Sequence, residues 1–199
     1  ALDQSLVKVE DVDLAVTSYT FRFFGSTGNI ASKNHSSVEF ANIALNNFVT
    51  NLSSTAHVYG FTAINFQSNN NSIFNIANVS FSVDTLDSYL TFLLAGHIVF
   101  ESQSHFFVTG NKLLVRTMAK TAEFLQVQAT TTASDNSSIV VEGNIVSVTS
   151  NASAGSGKEL EAMKIWRFRK LSPTNQEINI VRNSVLEFRS NKITLAHRP

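Results

Sequence analysis

The chain has 199 residues, of which 43% are hydrophobic; that is enough for one domain with a real core and excludes a disordered segment. Charged residues make up 15%, against roughly 25% in a typical soluble domain, and Lys+Arg and Asp+Glu balance at 15 each. The missing charge is replaced by Asn, Ser and Thr, and no basic run stands out. The electrostatic footprint of a nucleic-acid or anionic-membrane partner is therefore lacking.

From the N-terminus, residues 12–24 (VDLAVTSYTFRFF) alternate through Val12, Leu14 and Val16, then Tyr19, Phe21 and Phe23. Two-residue periodicity predicts a strand, and the phase change near Ser18 predicts a bulge or bend. The stretch GSTGNIASKN at 25–34 is turn chemistry. Residues 37–52 (SVEFANIALNNFVTNL) place Phe40, Ile43 or Ala44, and Phe48 near 3.6-residue spacing, with Ser36 or Ser37 available as a cap. That spacing predicts the one helix of the chain, weakened by Asn42, Asn46 and Asn47.

From residue 56 onward the pattern predicts strands at 57–67, 73–83, 88–101, 106–117, 123–131, 138–149, 159–170 and 177–189. They are separated by turn-prone runs such as SNNNS (68–72), ESQS (101–104) and SDNSS (134–138). Connections this short suggest hairpins, and strands this long suggest a curved sheet. The expected fold is mainly β: an antiparallel meander of eight or nine long strands, a sandwich or barrel, with the 37–52 helix packed on it. Only two prolines occur, at Pro173 and Pro199, as a chain committed to ladder hydrogen bonds requires.

Residues 89–100 are apolar on both faces, which predicts either the centre of the sheet or the wall of an apolar cavity. With Trp166, this gives six candidate core-lining or apolar-ligand residues: Tyr89, Phe92, Leu94, Ile98, Phe100 and Trp166. An internal similarity at an offset of about 65–72 residues links 72–83 (SIFNIANVSFSV) to 138–148 (SIVVEGNIVSV), and 97–117 to 164–190, where Asn111 falls opposite Asn183. It suggests either a duplicated four-strand unit, about 56–118 and 121–190, within a single domain over 1–199, or two generic meanders.

His97 and His105 bracket one of these turns, within reach of Glu101 if they sit on a hairpin. The second copy carries Lys164 in place of His97, so a shared metal clip is not expected, and zinc needs three or four ligands. No phosphate loop, H-E-x-x-H or G-x-S-x-G occurs, and a carboxylate pair such as Glu101 and Glu142 is unmarked by any motif. No catalytic group, cofactor or metal is expected.

Cysteine is absent, which excludes a disulfide-framed small secreted domain and favours an exported microbial or virion-surface chain. No apolar stretch reaches the ~20 residues of a membrane-spanning helix. Asn-x-Ser sequons occur at Asn34, Asn51, Asn70, Asn78, Asn136 and Asn151, each a possible glycan acceptor. A neutral, weakly charged, Asn/Ser/Thr-rich surface with long strand edges suggests self-association. The expected role is a non-enzymatic extracellular filament, coat or adhesive subunit. The alternatives are a barrel-like module for an apolar small molecule or lipid, and a secreted hydrolase with a dispersed site. Residues 1–24 could pair within the chain or with a neighbour.

Overall fold

The computed structural model describes residues 4–17, 21–49, 56–85, 88–117, 122–150, 164–168 and 178–197. In chain order these form β1 (Leu6–Thr17), β2 (Phe21–Gly25), β3 (Asn29–Lys33), β4 (Ser37–Val49), β5 (Ala56–Asn69), β6 (Ile73–Thr85) and β7 (Ser88–Phe100). They continue with β8 (His105–Thr109), β9 (Lys112–Thr117), β10 (Ala122–Val127), β11 (Thr131–Ala133), β12 (Ser138–Glu142) and β13 (Ile145–Ser150). The last are β14 (Lys164–Phe168), β15 (Ile178–Ile180), β16 (Val185–Arg189) and β17 (Lys192–His197). No helix occurs among the described residues.

Every strand pairing among the described residues is parallel. The first sheet rises through β1, β4, β6, β8 with β9, β12 with β13, and β16 with β17. The second rises through β2 with β3, β5, β7, β10 with β11, and β14 with β15. The chain alternates between the two sheets as it climbs, so it is a β-solenoid. This corrects the antiparallel sandwich or barrel expected from the sequence. Short turns between long strands misled because the same turn chemistry can swing the chain onto a second sheet instead of reversing it within one.

The helix expected over 37–52 is strand β4, and the error has a definite cause. Val38, Phe40, Ile43 and Leu45 all point into the core, with a left-handed residue, Asn42, between the two pairs (φ 53). The αL kink inserts one residue into the two-residue alternation, and the resulting three-residue step from Phe40 to Ile43 imitates a helical period. The kink recurs at Asp11, Asn78, Gly110, Gly143 and Ser190, one per level of the first sheet.

The interior between the sheets is apolar and rich in phenylalanine. Phe74 and Phe106 are register partners on successive levels, with ring centroids 5.5 Å apart. Phe92 and Phe124 stack at 4.9 Å, and Phe66 meets Phe74 from the opposite sheet at 5.2 Å. Such ring pairs add about 0.5–1.5 kcal/mol each beyond area burial. Strands β5 and β7 approach so closely that a Cβ on Gly60 would lie 2.5 Å from the Phe92 carbonyl oxygen, and one on Gly96 would collide with that of Ile64. Only glycine fits at these two positions.

Candidate functional site

One edge of the coil is built from a repeated three-residue corner. It comprises two successive αL residues followed by a serine: Asn34-His35-Ser36, Asn70-Asn71-Ser72, Ser102-Gln103-Ser104, Asp135-Asn136-Ser137 and Arg182-Asn183-Ser184. Asn and Asp tolerate αL better than other non-glycine residues, and short polar side chains suit an exposed corner. The serine turns inward. Its Oγ accepts the backbone N–H of the serine one level below: Ser5 to Ser36, Ser36 to Ser72, Ser72 to Ser104, Ser104 to Ser137 and Ser137 to Ser184, at 3.1–3.3 Å. This column satisfies N–H groups that the parallel ladder leaves unpaired at the bend.

A second column begins beside the kink. Asn111 Oδ1 accepts the Val79 N–H, Asn144 Oδ1 accepts that of Asn111, and Asn191 Oδ1 accepts that of Asn144. Each asparagine Nδ2 donates back to a carbonyl one level below: Ile76 for Asn111, Val108 for Asn144 and Val141 for Asn191. Asn111 and Asn144 are fully buried. The lower levels carry Val12, Ile43 and Val79 in this column.

The αL side chains form two parallel outer columns. Between them lies a polar groove of about 570 Å³, lined by Asn34, His35, Asn70, Asn71, Ser102, Gln103, Asp135 and Asn136. Asn70 Nδ2 donates to Asn34 Oδ1 at 2.8 Å, and Asn71 Nδ2 lies 3.5 Å from His35 Nε2. Arg182 binds Asp135 at 2.9 Å, and this carboxylate holds the guanidinium pKa above its ordinary value. The groove's imidazole and its carboxylate stand three levels apart, roughly 14 Å at the ~4.8 Å spacing of paired strands. They cannot serve one proton-transfer step. The groove offers amide and hydroxyl groups and no nucleophile–base pair.

The residues singled out in the sequence are dispersed by this architecture. His97 lies in β7 and His105 in β8, which belong to different sheets joined by the Glu101–Ser104 corner. The expected hairpin is therefore replaced by a corner. His105 Nδ1 lies 2.8 Å from Ser138 Oγ on the next level, its ring stacked on Phe107. Among the described residues no three His, Cys, Asp or Glu side chains gather as a metal set. Glu142 is paired with Arg189 at 2.9 Å, whereas Glu101 stands at the corner. Phe92, Ile98 and Phe100 are fully buried in the core, and Leu94 is half-buried. The side chains of Tyr89 and Trp166 lie outside the described set. Strand β7 is the centre of the second sheet, flanked by β5 and β10 with β11.

The sequons take on a structural origin. Asn34 and Asn70 are the first αL residues of corners whose buried ladder serines, Ser36 and Ser72, complete the Asn-x-Ser triplet. Asn136 is a second αL residue, and Asn78 is a kink residue. Asn51 and Asn151 lie outside the described residues. Two levels of the coil carry Ile73 to Ser138 by way of His105, one residue out of step with the sequence similarity, which sets Ser72 against Ser138. The structural counterparts of Asn111 are Asn144 and Asn191, and Asn183 is a corner residue.

No family model, curated protein or solved structure matches the chain. Among the described residues, no helix is long and apolar enough to cross a membrane.

Proposed function

We propose that the chain is a non-enzymatic structural element of an extracellular or virion-surface assembly, built to stack. The observation that carries this reading is at the ends of the coil. The outermost strands of the first sheet, β1 and β16 with β17, keep one long edge without a neighbour among the described strands. They expose Leu6, Val7 and Leu14 at one end, and Val185, Phe188 and Ile193 at the other. Open parallel edges with apolar side chains are templates for further strands, and monomeric proteins usually cover them. The neutral, weakly charged composition adds little like-charge repulsion against association.

The corner groove suits a supporting role in adhesion, since amide arrays bind polyhydroxylated or peptide surfaces without chemistry. Export is supported by the lack of cysteine and by the sequons. The test is light scattering and negative-stain electron microscopy of the purified chain over a wide concentration range, with surface labelling of the source material. Concentration-dependent growth is expected. A chain that stays monomeric throughout refutes the reading.

A further inference from the structure

Six serines in the first column mark equivalent positions on successive levels, so the register of one end against the other can be read off directly. Placing Ser5 of one copy above Ser184 of another, as each ladder serine stands above the last, aligns residues 6–17 with residues 185–196. The backbone frames then coincide. The corner residue Gln4 (φ 57) falls opposite Asn183 (φ 59), and the kink residue Asp11 (φ 54) opposite Ser190 (φ 54).

The side chains coincide in kind as well. The outward face of β1 carries Lys8, Glu10 and Asp13, the sequence plus, minus, minus. The outward face of β16 and β17 carries, at the aligned positions, Glu187, Arg189 and Lys192: minus, plus, plus. All six are solvent-accessible, three opposite-charge pairs in one register. The chain already stacks charges this way internally, with Glu142 beneath Arg189 and Asp135 beneath Arg182. The exposed apolar residues align too: Leu6 (59% exposed) with Val185 (41%), and Leu14 (37%) with Ile193 (41%).

We propose that β1 of one copy adds as a parallel strand to β16 and β17 of a second copy. The Ser184 N–H would donate to the neighbour's Ser5 Oγ, and Lys8–Glu187, Glu10–Arg189 and Asp13–Lys192 would face one another. The join is head to tail and does not close, so it propagates as a filament. This deepens the assembly reading above and rests on it, by naming the partner as a second copy and the surface as the two edges of the first sheet. The join is weaker than an internal level for two reasons. Val12 stands where the asparagine column would need an acceptor for Asn191. Among the described strands the second sheet is one level shorter than the first, which leaves a strand-wide slot at each junction.

The test uses Asp13→Lys and Lys192→Asp, at residues that make no ion pair within the described chain. Circular dichroism and melting curves establish that both variants fold. In sedimentation velocity the wild type should assemble with concentration. Each variant should associate at least about fivefold more weakly at low salt. Mixing the two should restore assembly, because the reversed edges then meet each other while the unchanged edges meet as before. Wild-type assembly that neither variant alters overturns the proposed interface and leaves the assembly reading standing. Wild-type chain that is monomeric at every concentration overturns both.

Discussion

Replacing Asn144 by alanine is the most direct test of what holds successive levels in register. Its Oδ1 accepts both the Asn111 N–H (2.9 Å) and the Asn111 Nδ2 (3.0 Å), and its Nδ2 donates to the Val108 carbonyl (2.9 Å) and to Asn191 Oδ1 (2.9 Å). Asn144 and Asn111 are both fully buried. Alanine would strand the Asn111 N–H and remove a donor from the Val108 carbonyl, in a place water cannot easily reach. An orphaned buried polar group costs about 1–3 kcal/mol. With two such groups and the lost side-chain contacts, the substitution should cost about 3–5 kcal/mol, a large share of the ~5–15 kcal/mol of a typical domain. At ~2–4 °C per kcal/mol for a chain of this size, Tm should fall by roughly 10 °C. Asn191→Ala breaks the same kind of bonds at the last level, where the residue is partly exposed and water can replace them. It should cost about 1 kcal/mol. Urea titration of the two variants beside the wild type measures the difference, and equal costs would refute the idea that the column works by satisfying buried backbone groups.

Ser104→Ala strands the buried Ser72 N–H and should lower stability by about 1–3 kcal/mol in urea denaturation. At the kink, a Cβ on Gly110 would lie 2.8 Å from Asn78 Oδ1 while one on Gly143 meets nothing closer than 3.9 Å. Gly143→Ala should then cost only the αL penalty of about 1–2 kcal/mol, and Gly110→Ala measurably more, in the same assay. Gly60→Ala should prevent stable stacking of β5 on β7, read as loss of the cooperative melting transition. Glu142 holds the Arg189 pKa above its ordinary value, but the pair is exposed. Glu142→Gln should leave the urea midpoint almost unchanged, and any difference should vanish at high salt. The Lys8 pKa is raised above its ordinary value, chiefly by the hydrogen bond to Glu10. A raised lysine contributes fully below its unfolded pKa and loses that contribution as pH climbs through the folded one. Lys8→Met should therefore flatten the alkaline limb of a Tm-versus-pH curve.

Much of the β content was legible in the sequence, because two-residue alternation and the scarcity of proline report ladder formation directly. The direction of pairing was not. Turn residues report that the chain bends, and the runs SNNNS, ESQS and SDNSS do lie at bends, but bend chemistry alone does not say whether the next strand returns beside the last or crosses to a facing sheet. The αL kink hid the period in β4, where Asn42 made a strand look helical. The one-level repeat was not legible, because its constant part is small: two αL residues and a serine, with the core positions free to be any apolar residue. The corner groove carried no motif at all. Its side chains are brought together from four levels and share only a tolerance for positive φ.

The spacing between successive ladder serines has a consequence for how such a chain can change length. Steps of 31, 36, 32, 33 and 47 residues all deliver the next serine to the same corner. The corner therefore works like the thread of a screw, indifferent to how much chain is taken up between one pass and the next. Deleting or duplicating one whole pass leaves every remaining contact type in place, so the molecule can be shortened or extended only in quanta of one level, about 4.8 Å each. A partial pass would throw the serine, the kink and the inward face out of step together.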